Sequence, residues 1–183
     1  MTTGHRVNGV SGFTLVELLV TISVASVLLV AAVPAFNGIV VSNRLTAQTN
    51  DMIAAINYSR SDAIKRNSTV TLCRAGSASD TSCVTSDGAW QYWIVRTAAG
   101  TVARRGSINT YGGTLSVRSS ALTLDRVDFS SDGLARTDGA LLNDGAGNNR
   151  IDVCVTRAIV NNIRGIVLGA GSRVSTEPSA GAC

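Results

Sequence analysis

The chain has 183 residues, 16 basic against 12 acidic side chains, and a formal net charge of +4. Its single histidine, His5, leaves everything downstream without a Ser-His-Asp triad, a Cys-His pair or a histidine metal site. Fifteen arginines against one lysine, Lys65, make the chain mildly cationic, which alone is weak grounds for a nucleic-acid partner.

Residues 1–12 are a short polar leader carrying His5 and Arg6 and no acid. An apolar run then extends from Phe13 to Phe36, interrupted near its start by one carboxylate, Glu17. The 21 residues from Phe13 to Val33 would form a helix of about 31 Å at ~1.5 Å per residue, enough to cross a hydrocarbon core of ~30 Å. The basic leader keeps the N-terminus cytoplasmic and puts the residues after Pro34 outside. Ala31-Ala32-Val33-Pro34-Ala35 imitates a secretory cleavage site, which is the alternative reading. Glu17 argues against it. A charge within such a run costs on the order of 2.5–3.5 kcal/mol at mid-membrane, less near an interface, and marks a function.

Pro34 falls where the run ends and would kink or loosen the helix, with Asn37-Gly38 a second soft point. Beyond it Leu45, Thr49, Met52, Ile56, Ser59 and Ala63 recur at steps of four and three. With Ile53 and Ile64 they form a stripe suited to lying on a sheet, and Arg44, Asn50, Asn57, Arg60 and Arg66 occupy the opposite face. One helix over 13–66 is expected, membrane-embedded first and amphipathic afterwards.

After Asn67 short β-branched and aromatic runs alternate with turn residues. Strands are expected at 69–73, 91–96, 101–105, 114–118, 126–130, 151–155, 164–168 and 173–175. Asp132-Gly133 reads as a tight turn, and 138–149 as an exposed Gly/Asn/Asp-rich loop. A helix followed by an antiparallel sheet gives an α+β head packed on the stripe. The organisation expected is a leader (1–12), a membrane helix (13–36) and a head (37–183).

Four cysteines in an exported head read as two disulfides with three possible pairings. Spacing favours Cys73–Cys83, closing a Gly/Ser/Asp-rich loop, and Cys154–Cys183, tying down the tail. Other signals are weaker. Ser61 and Lys65 have the spacing of a Ser-Lys dyad, but a solvated helix face explains them. Asp138, Asn143, Asp144 and Asp152 lack the spacing of a calcium loop. Trp90, Tyr92 and Trp93 could stack on rings, though alternation along a strand sends at least one into the core. The chain reads as non-enzymatic, without a cofactor or metal.

Gly12-Phe13-Thr14-Leu15-Val16-Glu17 resembles the leader of type IV pilins and pseudopilins, which a prepilin peptidase cuts after the glycine. The likeness extends to Asn43-Arg44-Leu45, to Ser59-Arg60-Ser61-Asp62-Ala63-Ile64-Lys65-Arg66-Asn67 with Val70-Thr71-Leu72-Cys73, to Gly88-Ala89-Trp90 with Trp93-Ile94-Val95, and to Val127-Asp128-Phe129-Ser130-Ser131-Asp132-Gly133. Together these resemble the GspH/FimT family, the minor pilins of type IV pili and minor pseudopilins of type II secretion, and the two cysteine pairs resemble its pilus branch.

The resemblance implies a type IV pilin fold, cleavage at Gly12 and methylation of the new Phe13 amine. It implies that Glu17 faces such an amine on another subunit. It also implies residence in the bacterial inner membrane, single-pass with the head in the periplasm, and then in the fibre at the cell surface. The partners implied are other minor and major pilins and the inner-membrane assembly platform, in a complex that primes the pilus and sits at its tip. Some members take up DNA through a C-terminal Gly-Arg-x-Arg stretch; here Gly171-Ser172-Arg173-Val174-Ser175 keeps one arginine, leaving Arg157, Arg164 and Arg173 as candidate DNA contacts. A minor pseudopilin of a secretion machine stays open as the third reading.

Overall fold

The computed structural model describes residues 12–120, 122–142, 149–157 and 159–183, with the side chains of 31, 33–35 and 120 also outside it. It divides into two compact units, Met1–Ile39 and Val40–Cys183. A single helix, α1, spans Leu15–Arg66. It starts two residues later than expected because Thr14 caps it, its Oγ1 accepting the Glu17 N–H at 3.2 Å.

In the second unit, Leu45, Thr49, Met52, Ile56, Ser59 and Ala63 are all buried, so the stripe faces the core. The two hydroxyls in it are satisfied by the helix itself: Thr49 Oγ1 donates to Leu45 O and Ser59 Oγ to Ala55 O. Ile64, expected in the stripe, is exposed. Arg44 and Arg60 depart from the expected solvent face. The Arg44 guanidinium sits 4.4 Å from the Tyr111 ring centroid, and Arg60 donates to the carbonyls of Ser172 and Gly171.

The sheet expected as one is two. β1 (Val70–Ala75), β2 (Tyr92–Thr97), β3 (Val102–Ser107), β5 (Arg126–Phe129), β6 (Ala135–Thr137) and β7 (Ala140–Leu141) form a six-stranded sheet in the order β3-β2-β1-β5-β6-β7. β4 (Leu115–Ser120), β8 (Arg150–Val155), β9 (Ile163–Leu168) and β10 (Val174–Ser179) form a four-stranded sheet in the order β10-β9-β8-β4. Every pairing is antiparallel. All eight expected strands exist within a few residues of their expected bounds. β6 and β7 were not foreseen, and β7 falls in the stretch read as loop, whose residues 143–148 lie outside the described ones.

Both sheets present alternate residues to one core shared with α1: Val70, Leu72, Trp93 and Val95 from the first, Val117, Ile151, Val153 and Ile166 from the second. Trp90 and Trp93 are both core, and Tyr92 is half-buried on the other face. Trp93 lies flat against its cross-strand partner Gly106, where a Cβ would come within 2.3 Å of the indole. At Asp132-Gly133 the turn closes with Gly133 N donating to Ser130 O and Gly133 at φ +76°. A smaller cluster of Cys73, Ala75 and Ile94 sits on the far face of the six-stranded sheet with Cys83, Tyr92 and Val102.

Cys73 is bonded to Cys83 and Cys154 to Cys183, with Cα separations of 5.6 and 5.8 Å. Reducing both should lower the stability of the head by about 2–5 kcal/mol per bridge. The check is the melting transition of the full chain with and without reductant. An unshifted transition would mean that the bridges carry no stability.

Candidate interaction surfaces

The first unit displays apolar surface on every side. Leu15, Val16, Leu18, Leu19, Val20, Ile22, Val24, Val27, Leu28, Leu29 and Val30 are all more than half exposed. A helix apolar all round is stable only when something apolar surrounds it, lipid or other helices. Its hydroxyls suit such surroundings: Thr21, Ser23 and Ser26 donate to the carbonyls of Leu18, Val20 and Ser23, so none needs water. Gly12 is exposed, with no heavy atom within 4 Å of where a Cβ would stand, and Phe13 is 81% exposed. Glu17 is exposed and has no ion pair among the described residues. The Thr14-x-x-Glu17 spacing was a readable start signal that the sequence reading passed over.

The expected membrane span is not met among the described residues, where no helix is long and apolar enough to cross a membrane. The side chains of residues 31 and 33–35, within the expected span, lie outside the described ones.

In the head, the three arginines singled out for DNA do not form one group: Arg157 and Arg164 flank the β8–β9 turn, and Arg173 lies at the far end of β9. Arg157 is exposed in the turn after β8, and Arg164 is the second residue of β9, its Nη1 donating to Asn161 O and Ile163 O. Arg173 caps the 3₁₀ turn Ala170–Ser172 and meets Gly169 at the opposite end of β9. From Arg164 to Gly169 is about 16 Å at ~3.3 Å per residue. Asp152, on β8, is paired with Arg150 at 2.6 Å.

Sequence reasoning missed Asp125 altogether. It is 1% exposed, adopts φ +50°, and its carboxylate accepts from Arg74 Nε at 2.8 Å, Gly88 N at 2.8 Å and Ser119 Oγ. Arg74 also donates to the carbonyl and, at 3.3 Å, the hydroxyl of Ser86. One buried pair therefore ties β1 and β4 to the segment between β1 and β2. No local signal could have found it, because the partners lie 51 residues apart. In the same segment the Ser77 hydroxyl holds the Asp80 carboxyl below its ordinary range; burial opposes that shift and the Ser77 and Gly76 N–H groups reinforce it. The C-terminus is held twice, by Cys183 and by Asn162, which donates to Gly181 O and accepts from Gly181 N. Among the described residues no group of three or more His, Cys, Asp or Glu is placed to hold a metal. Asn143 and Asp144 of the suggested calcium set lie outside them.

Two family profiles match. That of the type II transport protein GspH covers residues 48–162, from the buried half of α1 to the turn before β9. The prokaryotic N-terminal methylation motif covers 8–33, including Gly12, Phe13 and Glu17. No curated protein matches. Among solved structures, the type IV minor pilin FimU of Pseudomonas aeruginosa is similar in two crystal forms. In space group P21 the TM-score is 0.50 at 16% identity, over 74% of this chain and 90% of that one. In P65 the values are 0.47 and 15%, over 73% and 92%. At such identity the likeness is one of fold: a long N-terminal helix and antiparallel sheets.

Proposed function

The chain belongs to the GspH family, and from that premise we propose that it is a minor pilin of a type IV pilus, assembling through its N-terminal helix into the complex that primes the fibre and sits at its tip. One observation carries this reading: an exposed, all-round apolar helix, bearing a single carboxylate in its first turn, lies within a methylation motif. Before assembly the helix sits in the inner membrane with the head in the periplasm. The prepilin peptidase removes residues 1–12, and the Phe13 amine is methylated. Glu17 then meets that amine on a neighbouring pilin as the helix leaves lipid for the packed core of the fibre. Its partners are other minor and major pilins and the inner-membrane assembly platform.

Processing is the test. Gly12→Trp should leave the leader attached and the chain absent from sheared fibres, whereas the native chain should yield a fibre peptide beginning at N-methylated Phe13. Native chain missing from fibres while type II secretion fails without it would assign it to a secretion piston instead.

A second reading, DNA contact during natural transformation, rests on Arg157, Arg164 and Arg173. None of these has a carboxylate partner among the described residues. Phosphate contacts need little more than such cations.

A further inference from the structure

Among the described residues, three arginines without a carboxylate partner lie on the edge strand β3 and its neighbour β2. β3 ends the six-stranded sheet; Arg105 stands opposite Ile94 and Arg104 opposite Val95, with Arg96 next along β2. Arg96 follows a register shift and stands opposite Val102, two residues along β2 from Ile94 and so on the face that Arg105 shares. None of the three arginines has a carboxylate within 4.0 Å among the described residues. Arg105 Nη1 donates to Ala78 O at 2.7 Å and Arg96 Nε to Gly100 O at 3.3 Å. These bonds orient both guanidiniums and use one of the five N–H donors on each. Arg104 projects from the opposite face, 5.2 Å from the Tyr58 ring centroid and 5.9 Å from that of Trp93. The nearby acid Asp80 accepts from Gly76 N, Ser77 N and Ser77 Oγ, and makes no ion pair with Arg105.

An aromatic ring stands beside Arg105. Tyr92, on the same face as Arg96 and Arg105, borders two clefts. One of about 200 Å³ is shared with Ser77, Arg105 and Ser107, and one of about 380 Å³ with Gln91 and Thr110. We propose that the β2–β3 edge binds single-stranded nucleic acid, with phosphates on Arg96 and Arg105 and a base against Tyr92. Guanidinium forks match phosphate oxygens, and a cationic track with a stacking ring binds single strands without regard to sequence. An acidic peptide would use the charges and leave Tyr92 idle. Arginines that only guard an exposed edge against strand pairing would bind neither. The inference deepens the DNA reading by moving its contact away from the C-terminus, and does not depend on which machine the chain serves.

The test is fluorescence anisotropy of labelled oligo(dT) with the full chain in detergent, across a salt series. Arg96→Ala/Arg105→Ala should weaken binding at least ~10-fold and flatten the log–log salt slope by about 1.4, at ~0.7 per phosphate contact. Tyr92→Leu should weaken it roughly 10-fold at unchanged slope. Arg96→Lys/Arg105→Lys should keep the native salt slope, since the charges remain, while losing affinity with the forks, which separates charge from misfolding. Arg157→Ala/Arg173→Ala removes two of the contacts of the second reading and tells the two sites apart. If that last pair carries the loss, the DNA reading stands and the β2–β3 site falls. If the native chain does not bind near ~0.1 M salt, both fall. Polyglutamate competing as well as unlabelled oligo(dT) would also overturn the nucleic-acid assignment.

Discussion

Glu17→Ala should leave the chain made, cleaved and folded, yet reduce its incorporation into fibres roughly a hundredfold or more. The expectation follows from what happens when one member of a buried ion pair is deleted. The remaining charge, here the amine of a Phe13, is stranded in an apolar core, at a cost of about 3–5 kcal/mol, or more than a factor of 100 in an assembly equilibrium. The neighbouring apolar side chains are many and similar, so Val16→Ala should cost only about 1–2 kcal/mol and reduce incorporation far less. The contrast between these two variants, read as chain per fibre by quantitative mass spectrometry, is the informative comparison. Equal losses would mean that Glu17 acts only as one more surface residue. Normal incorporation of Glu17→Ala would remove the ion-pair mechanism. Because Thr14 Oγ1 and not the Glu17 side chain caps the helix N-terminus, the substitution leaves the cap in place.

The elements with a strong local period were legible. The stripe from Leu45 to Ala63 recurs at helical spacing and is buried at every position named, and the longer strands carry β-branched residues between turn formers. What failed was either short or non-local. Ala135-Arg136-Thr137 and Ala140-Leu141 are too brief to alternate visibly, and they are strands only because β5 offers the first an edge and the first offers one to the second. The division into two sheets depends on β4 pairing with β8 while β3 pairs with β2, and pairing choices leave no mark in local composition. Arg60 illustrates the same limit: its helical position points to solvent, yet the Gly171–Ser172 carbonyls come round to meet it. The candidate DNA arginines are near one another in sequence, yet the length of β9 parts Arg173 from Arg157 and Arg164. Arg96 and Arg105 come to share a face only through the β2–β3 pairing.

Asp125→Ala should be the most damaging single change in the head, lowering its stability by about 3–5 kcal/mol. The carboxylate is buried and takes hydrogen bonds from Arg74, Gly88 and Ser119. Removing it leaves a guanidinium whose side chain is only 12% exposed without its counter-charge. Asp125→Asn should cost less, because asparagine tolerates the positive φ and keeps one acceptor oxygen. Asp132→Ala breaks a longer, exposed pair with Arg136 and should cost no more than ~1 kcal/mol. Arg74→Met combined with Asp125→Ala should recover part of the loss, since the stranded charge is then gone; simple additivity would show that the two residues do not act as a pair. Amide exchange gives a local readout: Gly88 N–H, now donated to Asp125, should exchange faster in Asp125→Ala while the strand amides of β8 and β9 change little. Uniform acceleration throughout the head would mean global unfolding and no local anchoring role. Fibre incorporation should also fall in Asp125→Ala, but together with the loss of folded head. Glu17→Ala should lose incorporation with the head intact, so the pair of variants separates the residue that joins the chain to its neighbours from the residue that keeps its head folded.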